Sequence, residues 1–315
     1  MAVRKKRKFN DFGLGTKNDT GGYRALNRDG TFNVRKINVP FFERLNFFQS
    51  LITMPWSRFF LLILVGYFII NIVFGTIYTL IGVENLTGIK ADSNFDMFME
   101  GFFFSAQTIT TLGYGRVAPM GYPANIAAAI ESMLGLLGFA LATGLLYGRF
   151  SRPSAKIRYS EKAVIAPYRE INGFMFRIVN PQKNQLLELE VQVNLAMQRE
   201  NSELRDFHSL ELERDKVAFM PYMWTIVHPI SESSPLFGLE ERDILDKDAE
   251  FIISMRAFDE SSSQTVYSRS SYKASEIKWG HKFVYVVERE NTGITIDVGR
   301  IDKMEKANLN ATVKI

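Results

Sequence analysis

The chain has 315 residues, a net charge of +4 at neutral pH and a hydrophobic fraction of 46%. It contains no cysteine, which excludes disulfides, thiolate metal sites and cysteine nucleophiles. Its length allows two domains, and its ordinary hydrophobic fraction means that any membrane part is local. No Ser, His and Asp pattern, phosphate-binding loop or carboxylate pair suggests catalysis, so we predict neither an enzyme nor a bound cofactor.

The charge is unevenly distributed along the chain. Residues 1–58 carry a net charge of +8, whereas residues 82–123 carry −2 and residues 154–315 carry −3. A basic N-terminus can bind nucleic acid, but this one directly precedes an apolar segment. We therefore predict that it marks the cytoplasmic side of a membrane, close to acidic lipid headgroups. No apolar run closely follows the basic residues 4–8, so no cleavable signal is predicted.

The segment before the first apolar run divides into two parts. Residues 1–38 are polar, lack an apolar period and are predicted to be mobile. In residues 39–55, apolar side chains recur along one helical face: Phe41, Leu45, Phe48 and Ile52. An amphipathic helix directly before a span is typical of one that lies in the membrane interface, and a soluble core helix is the alternative.

Residues 59–81 contain no charged residue over 23 positions. About 20 residues are needed to cross the hydrocarbon of a bilayer. Trp56 and Tyr78 lie where interfacial aromatic residues are expected, and Arg58 marks the cytoplasmic end. The sequence therefore predicts a first transmembrane helix.

The next apolar segment is too short to cross. Ser93 and Asp96 form an S-x-x-D capping pair, which predicts a helix from about residue 94 to residue 108. Such a half-span is tolerated in a membrane only where it lines a cavity enclosed by protein. Because the last turn of a helix carries negative partial charge, this one can face a waiting cation.

Directly after this half-span comes the pentapeptide Thr111, Leu112, Gly113, Tyr114 and Gly115. Its two glycines can adopt dihedrals closed to other residues, so successive carbonyls can face one axis, together with the Thr111 hydroxyl. Four copies around an axis could then replace the hydration shell of K⁺. A simple glycine turn after a buried helix is the alternative.

A second span is predicted from about residue 124 to residue 150, and up to residue 148 its one charged residue is Glu131. An ionisable group there faces protein or water, so we expect Glu131 to hydrogen-bond behind the half-span, to Gln107 or Thr110. Lining the pore is the alternative for Glu131. Near the cytoplasmic end, Tyr147 either closes a symmetric pore with its ring or anchors the helix in the interface.

After about residue 154 the apolar period changes from helix to strand. Apolar or β-rich runs recur at residues 173–179, 187–195, 210–213, 251–258, 265–272, 282–287 and 293–298. Many short strands separated by turns predict an immunoglobulin-like β-sandwich, with one short helix at residues 240–248. The three histidines, at positions 208, 228 and 281, lack metal-ligand spacing and are predicted to be strand or turn residues.

Three stretches resemble a known family. Residues 111–115 are similar to the T-V-G-Y-G or T-I-G-Y-G signature of potassium channels. Residues 225–236 (T-I-V-H-P-I-S-E-S-S-P-L) and residues 270–280, with S-S-Y and E-I-K-W-G, resemble segments of inward-rectifier potassium channels. The absence of the extracellular cysteine pair found in the eukaryotic branch fits the prokaryotic branch better. The likeness runs from about residue 39 to residue 299.

The resemblance implies a homotetramer that passes K⁺ across the inner membrane, with two spans in each chain and both termini in the cytoplasm. It implies a slide helix at residues 39–55, a pore domain at residues 56–153 and a cytoplasmic β-sandwich at residues 154–315. It also implies a hinge at Gly135, for which close packing is the alternative, and an aromatic gate at Tyr147. Phe139 takes the place where strong rectifiers have an acid for Mg²⁺ or polyamines, so we expect only weak block.

The basic residues that follow the second span resemble the family's lipid-sensing junction. They are Arg149, Arg152, Lys156 and Arg158, and the ligand that the resemblance implies is an anionic lipid such as a phosphoinositide. The alternative is topology alone, in which these residues simply hold the helix end in the cytoplasm.

Two positions depart from the family pattern. Arg116 follows G-Y-G where an Asp is usual, and four cations there would oppose K⁺ entry unless neighbouring acids neutralise them. Gln107 stands where eukaryotic relatives have a Glu that braces the filter with a basic partner. A less selective cation pore, or a membrane-anchored sensor with a ligand-binding β-domain, therefore remains the alternative function.

Overall fold

The computed structural model of the chain describes residues 24–35, 37–38, 40, 46–90, 92–151, 155–200, 202, 204–220, 223–290 and 293–311. The chain divides into two compact units. One is Asn38–Arg152, and the other combines Met1–Ile37 with Pro153–Ile315. We call them the membrane unit and the β-domain unit.

The membrane unit is helical. Its described helices are α1 (Phe47–Thr53), α2 (Trp56–Ile81), α3 (Asn94–Ile109) and α4 (Gly121–Phe150). Helices α2 and α4, of 26 and 30 residues, are long and apolar enough to cross a membrane, whereas α3 has only 16 residues. The two predicted spans and the half-span between them are confirmed. Of the predicted interfacial helix, residues 47–53 are helical, and Phe41 and Leu45 lie outside the described residues.

Local sequence signals set where the half-span begins and how closely it packs. The Ser93 hydroxyl accepts a hydrogen bond from the Asp96 amide at 3.2 Å, as the capping pair predicts. Helix α3 crosses α2 at two glycines. A Cβ added to Gly75 would lie 3.0 Å from the backbone of Phe102, and one added to Gly101 would lie 3.0 Å from the Gly75 carbonyl oxygen. Larger residues at these two positions would push the helices apart.

Beyond the ends of these helices, two short strands close the loops around the half-span. Strand β1 (Leu86–Thr87) pairs antiparallel with β2 (Ala118–Pro119). This pair joins the loop that precedes α3 to the loop that follows residues 111–115.

The β-domain unit is a sandwich of two five-stranded sheets. The first contains β6 (Leu186–Gln198), β7 (Arg205–Leu210), β8 (Lys216–Phe219), β10 (Glu250–Asp259) and β11 (Gln264–Lys273). The second contains β3 (Arg158–Tyr159), β4 (Ala163–Tyr168), β5 (Ile171–Val179), β9 (Trp224–Pro229) and β12 (Ile277–Trp279). The rings of Phe174 and Phe251, one from each sheet, stack at 4.2 Å in the core between them.

Smaller elements accompany the two sheets. Two strand pairs lie outside the main sheets: β13 (His281–Phe283) with β16 (Met304–Lys306), and β14 (Val287–Glu290) with β15 (Gly293–Ile296). Helix α5 (Glu241–Asp246) confirms the predicted short helix. Residues 261–263 lie in the turn of the hairpin between β10 and β11.

Two predicted strands differ from those observed. The run at residues 210–213 is not one strand, because β7 ends at Leu210 and the Glu213 amide instead donates to the Val227 carbonyl at 2.8 Å. The run at residues 282–287 is divided between β13 and β14, because each half pairs with a different partner strand. Alternation of side chains cannot reveal such a division, since both halves continue the same apolar pattern.

The N-terminal segment differs from its prediction as well. Residues 1–38 were expected to be mobile, but residues 24–35 pack on the β-domain. The Glu250 carboxylate accepts hydrogen bonds from the Ala25 and Leu26 amides at 2.9–3.1 Å, and Leu26 is fully buried. Arg24 forms an ion pair of 3.0 Å with Glu276. A polar composition hid this docking because the contacts are mostly hydrogen bonds, which leave no apolar period in the sequence.

Candidate functional site

Residues 111–115 form an extension of the chain beyond the last turn of α3. The amides of Leu112 and Gly113 both donate to the Gln107 carbonyl, at 2.9 and 3.3 Å, which fixes the start of the segment on the helix. The φ angles of Thr111, Gly113 and Gly115 are +60°, +53° and +80°, so left-handed residues alternate along it. This alternation requires glycine at most positions and lets successive peptide carbonyls face the same side.

Thr111 is the residue of this segment that carries strain. A β-branched side chain rarely adopts a positive φ. Such outliers persist where surrounding structure imposes them, and they occur often at functional sites. Its amide donates to the Thr108 carbonyl at 3.0 Å, which ties this strained residue to the helix end.

Behind this segment, a buried group of polar side chains joins α2, α3 and α4. Glu131 is fully buried and accepts a hydrogen bond from the Tyr78 hydroxyl at 2.6 Å. The Ser105 hydroxyl bonds to the other oxygen of Glu131 and lies 2.9 Å from Asn71 Oδ1. The Asn71 side-chain amide in turn donates to the Tyr67 carbonyl at 2.7 Å. We call Asn71, Tyr78, Ser105 and Glu131 the polar cluster.

The polar cluster differs from the sequence prediction in two ways. Glu131 was expected to bond to Gln107 or Thr110, but among the described residues its hydrogen-bond partners are Tyr78 and Ser105. Gln107 supports the segment through its backbone carbonyl, and the Thr110 hydroxyl donates to the Ala106 carbonyl at 2.6 Å. Tyr78, expected at the membrane interface, is fully buried. The polar residues Asn71 and Ser105 within apolar helices were the signal that could have revealed the cluster.

A count of hydrogens predicts how the cluster responds to substitution. Ser105 has one hydroxyl hydrogen and two oxygen neighbours, Asn71 Oδ1 and Glu131 Oε1. In Glu131→Gln, the new amide can donate to Ser105 and still accept from Tyr78, so every polar atom keeps a partner. Glu131→Ala leaves the Tyr78 hydroxyl unpaired and opens a cavity. We therefore expect a loss of about 2–4 kcal/mol for the alanine variant.

The measurement is the temperature at which the purified, detergent-solubilised assembly dissociates. Glu131→Ala should lower this temperature clearly, and Glu131→Gln should leave it close to that of the natural protein. An equal loss in both variants would contradict the hydrogen count.

Gly135 lies one turn after Glu131 and touches the end of α3. A Cβ at this position would lie 2.3 Å from the Ile109 carbonyl oxygen, closer than any ordinary contact. Close packing therefore accounts for this glycine in the described structure. The hinge that the family resemblance implies is a separate property, which stays a prediction.

At the other end of the five-residue segment, Arg116 has an acidic partner. Its guanidinium lies 2.5 Å from the Glu100 carboxylate of α3. The expected neutralising acid is therefore Glu100, which the sequence alone did not identify because it lies 16 positions before Arg116.

The C-terminal part of α4 carries the residues predicted to gate the pore and bind lipid. Phe139 and Tyr147 are largely exposed within this single chain. The Arg149 guanidinium donates to the carbonyls of Leu51 and Met54, at 2.5 and 2.7 Å, and lies 4.4 Å from the centre of the Trp56 ring. Arg149 therefore ties α1 to α4 within the membrane unit, and these contacts compete with any lipid for its donors.

The remaining predicted lipid residues are placed differently. Lys156 is exposed, and Arg158 forms an ion pair of 3.5 Å with Asp302. Arg152 lies outside the described residues.

The histidine of the T-I-V-H-P-I stretch is buried in the β-domain. Nδ1 of His228 lies 2.6 Å from the Glu211 carbonyl and Nε2 lies 2.7 Å from the Ser234 hydroxyl. Burial lowers the pKa of His228, which keeps the ring neutral at pH 7. No group of three His, Asp or Glu side chains that could hold a metal ion occurs within the described ranges.

Comparisons with known proteins agree with this architecture. Residues 157–314 match the family of the inward rectifier potassium channel C-terminal domain, and residues 62–152 match a family described as ion channel. The chain is 32% identical to the inward rectifier potassium channel Kirbac3.1 of Paramagnetospirillum magnetotacticum, over 84% of this chain and 89% of that protein. It is 27% identical to the ATP-sensitive inward rectifier potassium channel 12 of Gallus gallus, over 89% and 71% of the two chains. For the inward rectifier potassium channel 4 of Homo sapiens, the identity is 32% over 65% and 49%.

Proposed function

The chain belongs to the inward rectifier potassium channel family, and from this premise we propose that four copies form a pore in which residues 111–115 select K⁺. Members of this family are membrane channels and not enzymes, and K⁺ is their permeant ion. The observation that supports the site most is the alternation of left-handed residues along 111–115, anchored on the Gln107 carbonyl. Carbonyls that face one axis in four chains replace the water around a dehydrated K⁺.

We propose that the two long helices cross the inner membrane, with both termini in the cytoplasm. The basic N-terminal segment supports this orientation. The gate lies at Tyr147, four copies of which form an aromatic constriction that excludes water. Gly135, in addition to its packing on Ile109, is the hinge at which α4 bends during gating, and Phe139, which lacks a carboxylate, leaves Mg²⁺ and polyamines as weak blockers.

We further propose that anionic lipid modulates the channel through the basic residues after α4. Lys156 and Arg152 offer charge to headgroups, and Arg158 does so once its pair with Asp302 opens. The role of Arg149 is then different. It couples the interfacial helix to the gate through the carbonyls of Leu51 and Met54.

The test of the proposed function is ion flux through the purified protein in liposomes of defined lipid. We expect uptake of K⁺ and Rb⁺ that Ba²⁺ blocks and that Na⁺ does not replace. Flux of Na⁺ equal to that of K⁺ would instead support a less selective cation pore. Absence of flux from a folded assembly, in liposomes both with and without anionic lipid, would favour a membrane-anchored sensor.

A further inference from the structure

Arg116 is held by two groups as the chain leaves residues 111–115. One guanidinium nitrogen lies 2.5 Å from Glu100 Oε2, and another lies 3.4 Å from the Gly88 carbonyl oxygen. Arg116 is half exposed, whereas the Glu100 side chain is only 19% exposed. The acid therefore approaches the arginine from the protein side and leaves the guanidinium at the surface.

The backbone around this pair is fixed on both sides. Gly88 has a φ of +80°, and a Cβ there would lie 1.8 Å from the Arg116 carbonyl oxygen, so the two loops touch through their main chains. The pairing of β1 with β2 holds the same loops together, and the neighbouring Val117 is buried. Glu100 lies in the second turn of α3, next to the close crossing at Gly101. A pair built on such anchored positions persists, unlike one between two free side chains.

The position of the pair decides what it can do. Arg116 is directly bonded to Gly115, so in a four-fold assembly four guanidinium groups surround one end of the pore. Unpaired, they would lower the local concentration of K⁺ at that end, because charge at a narrow entrance repels ions of the same sign. Exposed ion pairs contribute little to stability. The main effect of the Glu100 carboxylate is therefore on the concentration of K⁺ at the entrance of the filter.

We propose that Glu100 determines the rate of K⁺ entry, because its carboxylate neutralises Arg116 at the end of the filter next to Gly115. This inference rests on the proposed conduction through residues 111–115. Glu100 then acts in permeation, and the Gly88 carbonyl keeps Arg116 within reach of the carboxylate. It also explains how an arginine is compatible with cation conduction where an aspartate is usual.

The experiment measures unitary K⁺ current, directed inward through the Gly115 end, in planar bilayers. The variants are Glu100→Gln, Arg116→Gln and the double variant Glu100→Gln/Arg116→Gln. At about 10 mM K⁺, where charges act over about 30 Å, we expect Glu100→Gln to reduce the current about 3- to 15-fold. At about 1 M K⁺, where screening acts within about 3 Å, the reduction should largely disappear. The double variant should regain the current of the natural protein to within about twofold at both concentrations.

Glu84→Gln is the matched control. It removes one carboxylate per chain from the loop before α3, where no ion pair involves Glu84 among the described residues. Its current at about 10 mM K⁺ should exceed that of Glu100→Gln several-fold. Arg116→Gln provides a second, independent readout, because it leaves the carboxylate unpaired and should raise the current at low salt above that of the natural protein.

Two results would overturn the inference while leaving the proposed function intact. In the first, the natural protein conducts K⁺ and the Glu100→Gln variant carries an equal current at low salt. In the second, the current of Glu100→Gln stays reduced at about 1 M K⁺ and the added Arg116→Gln substitution does not restore it. Glu100 would then act by holding the structure in place and not by its charge. If Glu100→Gln fails to assemble, an unchanged low-salt current in Arg116→Gln refutes the proposal. A natural protein that passes no K⁺ would refute the proposed function itself.

Discussion

Replacing Gly113 by alanine should abolish K⁺ flux while leaving the assembly intact. Gly113 has a φ of +53°, a conformation that costs other L-residues about 1–2 kcal/mol each, and the proposed pore contains four copies. The variant therefore loses about 4–8 kcal/mol if the segment keeps its conformation, so the peptide is expected to rotate and turn its carbonyl away. A filter without one ring of oxygens no longer compensates dehydration of K⁺.

The measurement is Ba²⁺-sensitive Rb⁺ uptake into liposomes, together with the size of the solubilised assembly. Flux should fall by more than about 100-fold, since each 1.4 kcal/mol corresponds to a factor of ten. Gly144→Ala is the matched control, because it makes the same substitution in α4 at a position where an added Cβ meets no atom within 4 Å. Normal flux in Gly113→Ala would remove residues 111–115 from the conduction path.

The second large effect is expected for Gly135→Ala. The added Cβ would lie 2.3 Å from the Ile109 carbonyl oxygen, so the end of α3 must move by about 1 Å to restore an ordinary contact. Overpacking of this kind typically costs about 1–3 kcal/mol. Residues 111–115 follow the last turn of α3 directly, so the displacement is transmitted to the filter. We expect about 10- to 100-fold less flux.

Single-channel recording separates this packing effect from a hinge. A displaced filter lowers the unitary current or the preference for K⁺ over Na⁺. A lost hinge changes the fraction of time that the channel is open and leaves both of those quantities unchanged. Gly138→Ala serves as the control, since an added Cβ there meets no atom within 4 Å. A result in which only the open time changes would favour the hinge over the packing role.

The sequence predicted those features that depend on local chemistry. A run of 23 uncharged residues, the Ser93–Asp96 capping pair and the alternation at residues 187–195 each reflect a rule that acts within a few positions. The observed helices and β6 agree with all three. The glycines at positions 113 and 115 were informative for the same reason, because glycine itself tolerates the positive φ observed there.

Features that depend on distant partners were not predictable in the same way. Glu131 was identified as an acid within a span, but its partner Tyr78 lies 53 positions away. From the sequence, Tyr78 fitted a position at the membrane interface equally well. In the sequence, Glu100 is an ordinary charged residue on a short helix, and only the structure shows that it pairs with Arg116. In both cases the sequence gives the residue type that needs a partner, and only the packing of helices decides which partner it meets.

The docking of residues 24–35 has a consequence for the path of the chain. The chain leaves the β-domain unit to form the membrane unit and then returns to the β-domain unit, because both Met1–Ile37 and Pro153–Ile315 belong to it. The amides of Ala25 and Leu26 donate to the Glu250 carboxylate, so the chain that leads to the membrane unit is itself part of the folded β-domain unit. The β-domain unit therefore holds the chain on both sides of the membrane unit, through the docking of residues 24–35 before it and through the strands that follow it.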